Sequence, residues 1–223
     1  MEDLDRALTF PFHQKEWGLK VFVGSLFVLL CFVGLGIPVI AGYMIRVCQR
    51  VMRNDEELLP EWSDVGVMFI TGIKYIAVTL LYQLPVFLLM IPLLAFAAMG
   101  AMVEPSESAA MIFGLYLFGF LLLAIPYALL YTLLSPVITY RFALHERISD
   151  GLDIARVIRE FRQQWGNVTL SAFLIVIVGI FSALGVILFV VGILATVFYS
   201  YLVSAALSGM LYRTLKASTG GRP

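Results

Sequence analysis

Charge in this chain is confined to four short blocks, and that confinement limits what the chain can fold into. All 15 Lys and Arg residues lie within 1–20, 46–74, 141–162 and 213–223. The stretches between them, 21–45, 75–140 and 163–212, hold no basic residue, and their only acids are Glu104 and Glu107. A helical crossing of a bilayer needs roughly 20 apolar residues, and cytoplasmic loops collect Lys and Arg. The pattern predicts an all-α polytopic integral membrane bundle with nearly all its charge on one side. Composition agrees, because 13% of the residues are charged against about a quarter in soluble domains. A formal net charge of zero gives no electrostatic case for nucleic acid or an anionic substrate.

The chain reads as a single membrane domain, 1–223. Residues 1–20 form an interfacial N-terminal segment, with Trp17 and Lys20 as boundary anchors. The stretch 21–45 is broken by Gly34, Gly36 and Pro38. It reads either as one long span or as a bent hairpin that returns early, and the two place the N-terminus on opposite sides. Acids at Glu2, Asp3, Asp5 and Glu16, and the lack of an Ala-x-Ala site, argue that it is retained rather than cleaved. The segment 46–74 is cytoplasmic. Arg46, Arg50 and Arg53 share one helical face, and 60–73 is expected to form an amphipathic interfacial helix with Trp62, Val65, Phe69 and Ile73 on its apolar face.

The stretch 75–140 reads as a helical hairpin turning at Glu104-Pro105-Ser106-Glu107, a loop placed outside because it holds acids and no base. Pro85 and Pro92 should kink its first half; neighbouring helices can satisfy the carbonyls they free. In 141–166, Ser149 or Asp150 can cap a second interfacial helix, whose stripe is Ile154, Ile158, Phe161 and Trp165. A further hairpin over 167–212 turns near Gly179, Gly185 and Gly192, and 213–223 is a cytoplasmic tail. The sum is about five or six membrane-inserted helices plus two cytoplasmic interfacial amphipathic helices. Tyr43 with Arg46, Tyr140-Arg141 and Tyr212-Arg213 recur where apolar hairpins end. Internal duplication and the ordinary dress of a membrane exit both account for that recurrence.

Chemistry-bearing residues are sparse. The spans hold no ionisable pair of the kind that marks transport or proton relay. Gln83, beside Pro85, is suited to bonding a freed carbonyl. His13 and His145 have no second histidine nearby, and Cys31 and Cys48 fall at different levels, so neither a metal site nor a disulfide is expected. Asp55, Glu56, Glu57, Glu61 and Asp64 lack calcium-loop spacing and are expected to pair with Arg46, Arg50, Arg53 or the Arg156–Arg162 face. No catalytic residue, cofactor or metal ligand emerges. The candidate interaction surface is cytoplasmic: Arg46, Arg50, Arg53, Pro60, Glu61, Trp62, Asp64, Arg156 and Arg159. Gly42, Ser200, Ser204, Ser208 and Gly209 are candidates for close helix packing, within the monomer or against another subunit.

Phe10-Pro11-Phe12 before Trp17, Gly42-Tyr43 with Arg46, and above all Leu59-Pro60-Glu61-Trp62-Ser63-Asp64 leading to Gly72 carry a resemblance. So do the helix from Asp150-Gly151 to Trp165 and the run from Phe198-Tyr199 through Gly209, Tyr212 and Arg213. Over nearly the whole chain these resemble a bacterial and archaeal membrane family, domain-of-unknown-function family 4013. Leu58, after an acidic run, departs from the glycine expected near that turn. The resemblance implies a multi-span plasma-membrane protein, C-terminus cytoplasmic by the charge pattern, and brings no activity or cofactor. The expected function is non-enzymatic, as an accessory, assembly or lipid-interacting protein. Its partners are membrane lipids, with a protein partner or a second copy as further candidates. The alternative is a transporter or channel for a neutral or lipid-like substrate.

Overall fold

Gly34 decides the course of the first apolar stretch in the computed structural model, which describes residues 16–102, 106–184 and 189–218 together with Thr9, Pro11 and Gln14. Helix α1 (Trp17–Leu30) passes through a 3-10 turn, Cys31–Val33, to Gly34 at φ 83°, a left-handed conformation that glycine adopts without penalty. Helix α2 (Gly36–Arg53) then starts against the last turn of α1; a Cβ on Gly36 would lie 2.0 Å from the Phe27 carbonyl oxygen. The two helices run antiparallel. Lys20 near the start of α1 and Arg50 near the end of α2 both donate to the Leu59 carbonyl, at 3.0 and 3.2 Å. Most of residues 1–15, with the Phe10 and Phe12 positions, lie outside the described residues.

Helix α2 closes at Asn54, whose φ of 60° lets the amides of Asn54 and Asp55 bond back to Val51 and Arg50. The chain then runs without helix to a 3-10 turn, Trp62–Asp64, which leads straight into α3 (Val65–Met102). The separate interfacial helix expected over 60–73 is therefore absent, and residues 65–73 form the first turns of a 38-residue helix. Trp62 apart, the face packed on the protein is not the apolar stripe, as an interface-facing stripe requires. Met68, Thr71, Gly72 and Val78 are buried, whereas Ile73 is exposed. Small residues choose the contact: a Cβ on Gly42 would lie 1.8 Å from the Met68 carbonyl oxygen, and one on Gly72 1.7 Å from that of Pro38. With both glycines bare, α2 and α3 cross backbone to backbone.

Ser106 caps α4 (Glu107–His145), its Oγ accepting from the Ala109 amide at 3.3 Å; Glu104 and Pro105 lie outside the described residues. Glu146 at φ 55° ends α4. A single turn, α5 (Ile148–Gly151), precedes α6 (Ile154–Gln163), α7 (Trp165–Leu184) and α8 (Phe189–Ser218). The cap of α6 is Asp153, not Ser149 or Asp150; its Oδ1 accepts from the Arg156 amide at 3.1 Å. Gly179 lies within α7 and Gly192 within α8, while Gly185 is outside the described residues.

Two compact units result, Met1–Val78 with Leu133–Pro223, and Thr79–Thr132. In the first, α8 is the hub, packed on α1, α2 and α7 with Phe198, Leu202, Val203, Ala205, Ala206, Ser208 and Leu211 buried. Gly209 faces α2; a Cβ there would lie 2.8 Å from the Cys48 carbonyl oxygen. Ser200, Ser204 and Ser208 bond carbonyls of their own helix. In the second unit, α3 and α4 form an antiparallel hairpin, and α3 stays helical through Pro85 and Pro92. Tyr127 donates to the Tyr82 carbonyl and Tyr116 to that of Leu89, at 2.9 Å for the latter. Both acceptors lie in the turn before a proline, where the ring interrupts helical bonding.

Three helical segments are long and apolar enough to cross a membrane, Trp62–Gly100, Glu107–His145 and Leu194–Ala217, or four if α6 and α7 count as one bent pair. That is fewer than the five or six expected. The first stretch supplies no full span: α1 has 14 residues, about 21 Å at 1.5 Å per residue, and α2 buries most of its apolar face inside the protein. Gly42→Ala adds a methyl that no rotamer change can relieve, and it should cost at least about 1–3 kcal/mol. Its melting temperature in detergent should fall clearly below that of Gly114→Ala, where the added methyl meets nothing within 4 Å. Equal melting of the two variants would refute the close crossing.

Candidate functional site

The charged end of the first unit is built on backbone that has no helical partner. Between α2 and α3 the carbonyls of Glu57, Leu59 and Pro60 are each taken by a side chain. Arg50 Nη1 donates to Glu57 and Leu59, at 3.1 and 3.2 Å, and Lys20 Nζ to Leu59 at 3.0 Å. The Tyr43 hydroxyl donates to Pro60 at 3.1 Å. In return Trp62 Nε1 donates to the Lys20 carbonyl at 3.1 Å. The indole stacks on Tyr43 and Phe27, with centroids 4.2 and 5.0 Å apart, and meets Phe198 at a tilt. Gly24 admits the Phe198 ring, which would lie 2.3 Å from a Cβ at that position. Residues 59–62 thus join α1, α2 and α8. Lys20, expected as a boundary anchor, is buried in this joint.

A second joint centres on Arg141, a buried cation at the inner end of α4. Its Nη1 lies 2.6 Å from Glu160 Oε1, with side chains 8% and 19% exposed, and its Nε donates to the Asp150 carbonyl at 3.1 Å. The Tyr140 hydroxyl donates to the other oxygen of Glu160, and its ring meets Tyr212 at 5.8 Å. Two of the three membrane-exit tyrosines therefore touch. Glu146, in the left-handed region, accepts from Gln49 Nε2 at 3.0 Å and Thr71 Oγ1 at 2.8 Å. Gln49 also donates to the Ala143 carbonyl at 2.9 Å.

Between these joints opens a cleft of about 460 Å³ lined by Arg46, Gln49, Arg50, Arg53, Asp55, Glu57 and Glu146. The shared face expected of Arg46, Arg50 and Arg53 is real, since all three reach this lining. The expected pairing of these arginines with the acidic group forms at one place. Among the described residues Arg46 meets Asp64, at 3.7 Å, and Arg50 bonds the backbone of Glu57 rather than its carboxylate. Arg156 pairs locally with Asp153 at 2.9 Å, and neither it nor Arg159 lines the cleft. Of the surface predicted from sequence, Pro60 and Trp62 are spent inside the fold, and Glu61, Asp64, Arg53, Arg156 and Arg159 remain exposed. His145 Nδ1 lies 2.7 Å from Asp150 Oδ2 at the surface. Among the described residues no three His, Cys, Asp or Glu side chains group to hold a metal ion.

Two measurements test the joints. Breaking a buried ion pair from one side costs about 3–5 kcal/mol; Glu160 keeps some solvent contact, so Glu160→Gln should lose somewhat less while remaining clearly destabilised in a detergent melt. Arg156→Gln, at an exposed pair, should lose no more than about 1 kcal/mol. Cys48 is fully buried, and burial raises its thiol above the ordinary range. In a Cys31→Ser background it should resist maleimide at neutral pH from either side of the membrane and react only after SDS; prompt native labelling would contradict the packing of α2 on α8.

A family model described as "Protein of unknown function (DUF4013)" matches residues 24–196, from the middle of α1 into α8, and takes in most of both joints but not Lys20, Phe198 or Tyr212. Neither the curated proteins nor the solved structures contain a significant match.

Proposed function

We propose that this chain, which belongs to the DUF4013 family, is a multi-pass plasma-membrane protein that works without chemistry of its own, as an accessory or assembly protein acting through lipid and partner contacts. One observation carries the membrane part of the reading. The most apolar windows of Trp62–Gly100 and Glu107–His145 bury none of their residues inside the protein, and apolar surface on that scale needs a lipid solvent. In this reading the α1–α2 hairpin returns without crossing. The N-terminus, both joints, the cleft and the C-terminus then share the cytoplasmic side, where Arg53, Arg147, Arg159, Arg162 and Arg213 provide the positive charge.

The non-enzymatic part is supported by how the polar groups are used. Glu160, Glu146 and Asp153 are each held by donors from their own chain, which suits a rigid platform better than acid–base work. The exposed residues at the cleft mouth, Arg53, Asp55 and Glu57, are where a protein partner or second copy would be read. A transporter of a neutral or lipid-like substrate has one feature in its favour, an apolar depression of about 410 Å³ beside Leu89, Tyr116 and Phe120 on the proline-bearing hairpin.

Purification from native membranes in mild detergent should return a stoichiometric partner or a defined oligomer, and Arg53→Glu should weaken that association without lowering the melting temperature. A clean monomer, together with substrate flux in reconstituted vesicles, would transfer the assignment to the transporter. Cysteines introduced at 53 and 159 should both label from the cytoplasmic side only.

A further inference from the structure

Helix α6 is turned the wrong way for a helix packed on a protein core. Val157 is fully buried and Glu160 reaches inward to Arg141 and Tyr140. The apolar stripe faces out: Ile154 is 55% exposed, Ile158 39% and Trp165 69%. At 3.6 residues per turn Arg162 and Arg159 follow along one edge of that stripe. The axis of α6 stands 100° from that of Trp165–Phe181. If α7 enters a membrane, α6 lies in the plane of its surface, with Trp165 at the corner.

We infer that α6 is a docking site for anionic phospholipid headgroups in the membrane that α7 enters. The inference rests on the reading of the chain as a membrane protein and names the lipid chemistry of its charged face. Charge supplies the argument for this occupant over a neutral lipid. The acids of α6 and its cap are engaged, Glu160 with Arg141 and Asp153 with Arg156. Arg159 and Arg162 make no ion pair within 4 Å among the described residues. A shallow depression of about 410 Å³ is lined by Ala155, Ile158, Arg159, Arg162 and Gln163. It offers an acyl chain the stripe and a phosphate the guanidinium groups. Aliphatic stems of arginine lie along such apolar surface while their heads stay at headgroup level.

The test uses the full chain, with Cys31 replaced by Ser, reconstituted in vesicles. A nitroxide is placed in turn at Ile158→Cys, at Arg156→Cys, an exposed position on the opposite face of α6 and outside the depression, and at Leu170→Cys on α7. Collision with a water-soluble nickel complex is measured in phosphatidylcholine alone and with phosphatidylglycerol added. Position 170 should be shielded in both lipids and 156 open in both. Position 158 should be shielded strongly only with phosphatidylglycerol, and Arg159→Gln with Arg162→Gln should weaken that preference by about fivefold per arginine. Position 158 open in both lipids while 170 stays shielded overturns the inference, leaves the membrane reading intact and makes the stripe a protein interface. Shielding at 158 that ignores phosphatidylglycerol also overturns it, because the stripe then takes any lipid. Exposure at 170 would instead defeat the membrane reading itself.

Discussion

Backbone carbonyls without a helical partner are the constraint on which this structure turns. From Asp55 to Glu61 the chain is not helical, and a carbonyl kept from water costs on the order of a hydrogen bond if left alone. Lys20, Arg50 and Tyr43 satisfy three of those carbonyls, at Glu57, Leu59 and Pro60, with four bonds from α1 and α2. Because their donors come from two helices and Trp62 reaches α8 through Phe198, satisfying a short loop also assembles the three-helix core. The motif Leu59-Pro60-Glu61-Trp62 is thus an instrument of folding more than of recognition. Glu61 alone of the four is left exposed.

Under the proposed membrane reading, lipid as solvent reverses the usual rule for which helix face is packed. On α3 the packed face is Met68, Thr71 and Gly72, and on α6 it is Val157 and Glu160, while Ile73, Ile154 and Ile158 look outward. Hydrocarbon is as apolar as isoleucine, so burying isoleucine against protein gains little there. Close backbone approach at Gly42 and Gly72 and a bonded ion pair at Arg141 gain more. The proline-bearing hairpin obeys the same economy, with Tyr116 and Tyr127 spent on carbonyls beside Pro92 and Pro85.

That economy also narrows where function resides. Charge that is paired or bonded inside, at Lys20, Arg50, Arg141 and Glu160, holds the platform together. Charge left over at Arg53, Arg159 and Arg162 faces outward and is free to meet lipid or a partner. On α2 and α6 the two roles fall one to three residues apart, Arg50 beside Arg53 and Glu160 between Arg159 and Arg162, so a map of charged positions alone does not separate them.

The membrane-helix class, the positions of the charged ends and the family were legible in the sequence by itself, because hydropathy and charge are properties of composition along the chain and need no partner. The shared face of Arg46, Arg50 and Arg53 was legible too, since helical spacing is local. Helix count was not, because Gly34 folds the first stretch back at a length that either topology accommodates. Nor were the roles of Lys20, Tyr43, Gln49 and Glu160, whose partners lie 17 to 97 residues away or across a helix crossing. Only the tertiary structure decided which arginines are bonded inside the fold and which are left outside. Periodicity finds an amphipathic face, but whether that face meets lipid or protein depends on where neighbouring glycines let the backbones meet.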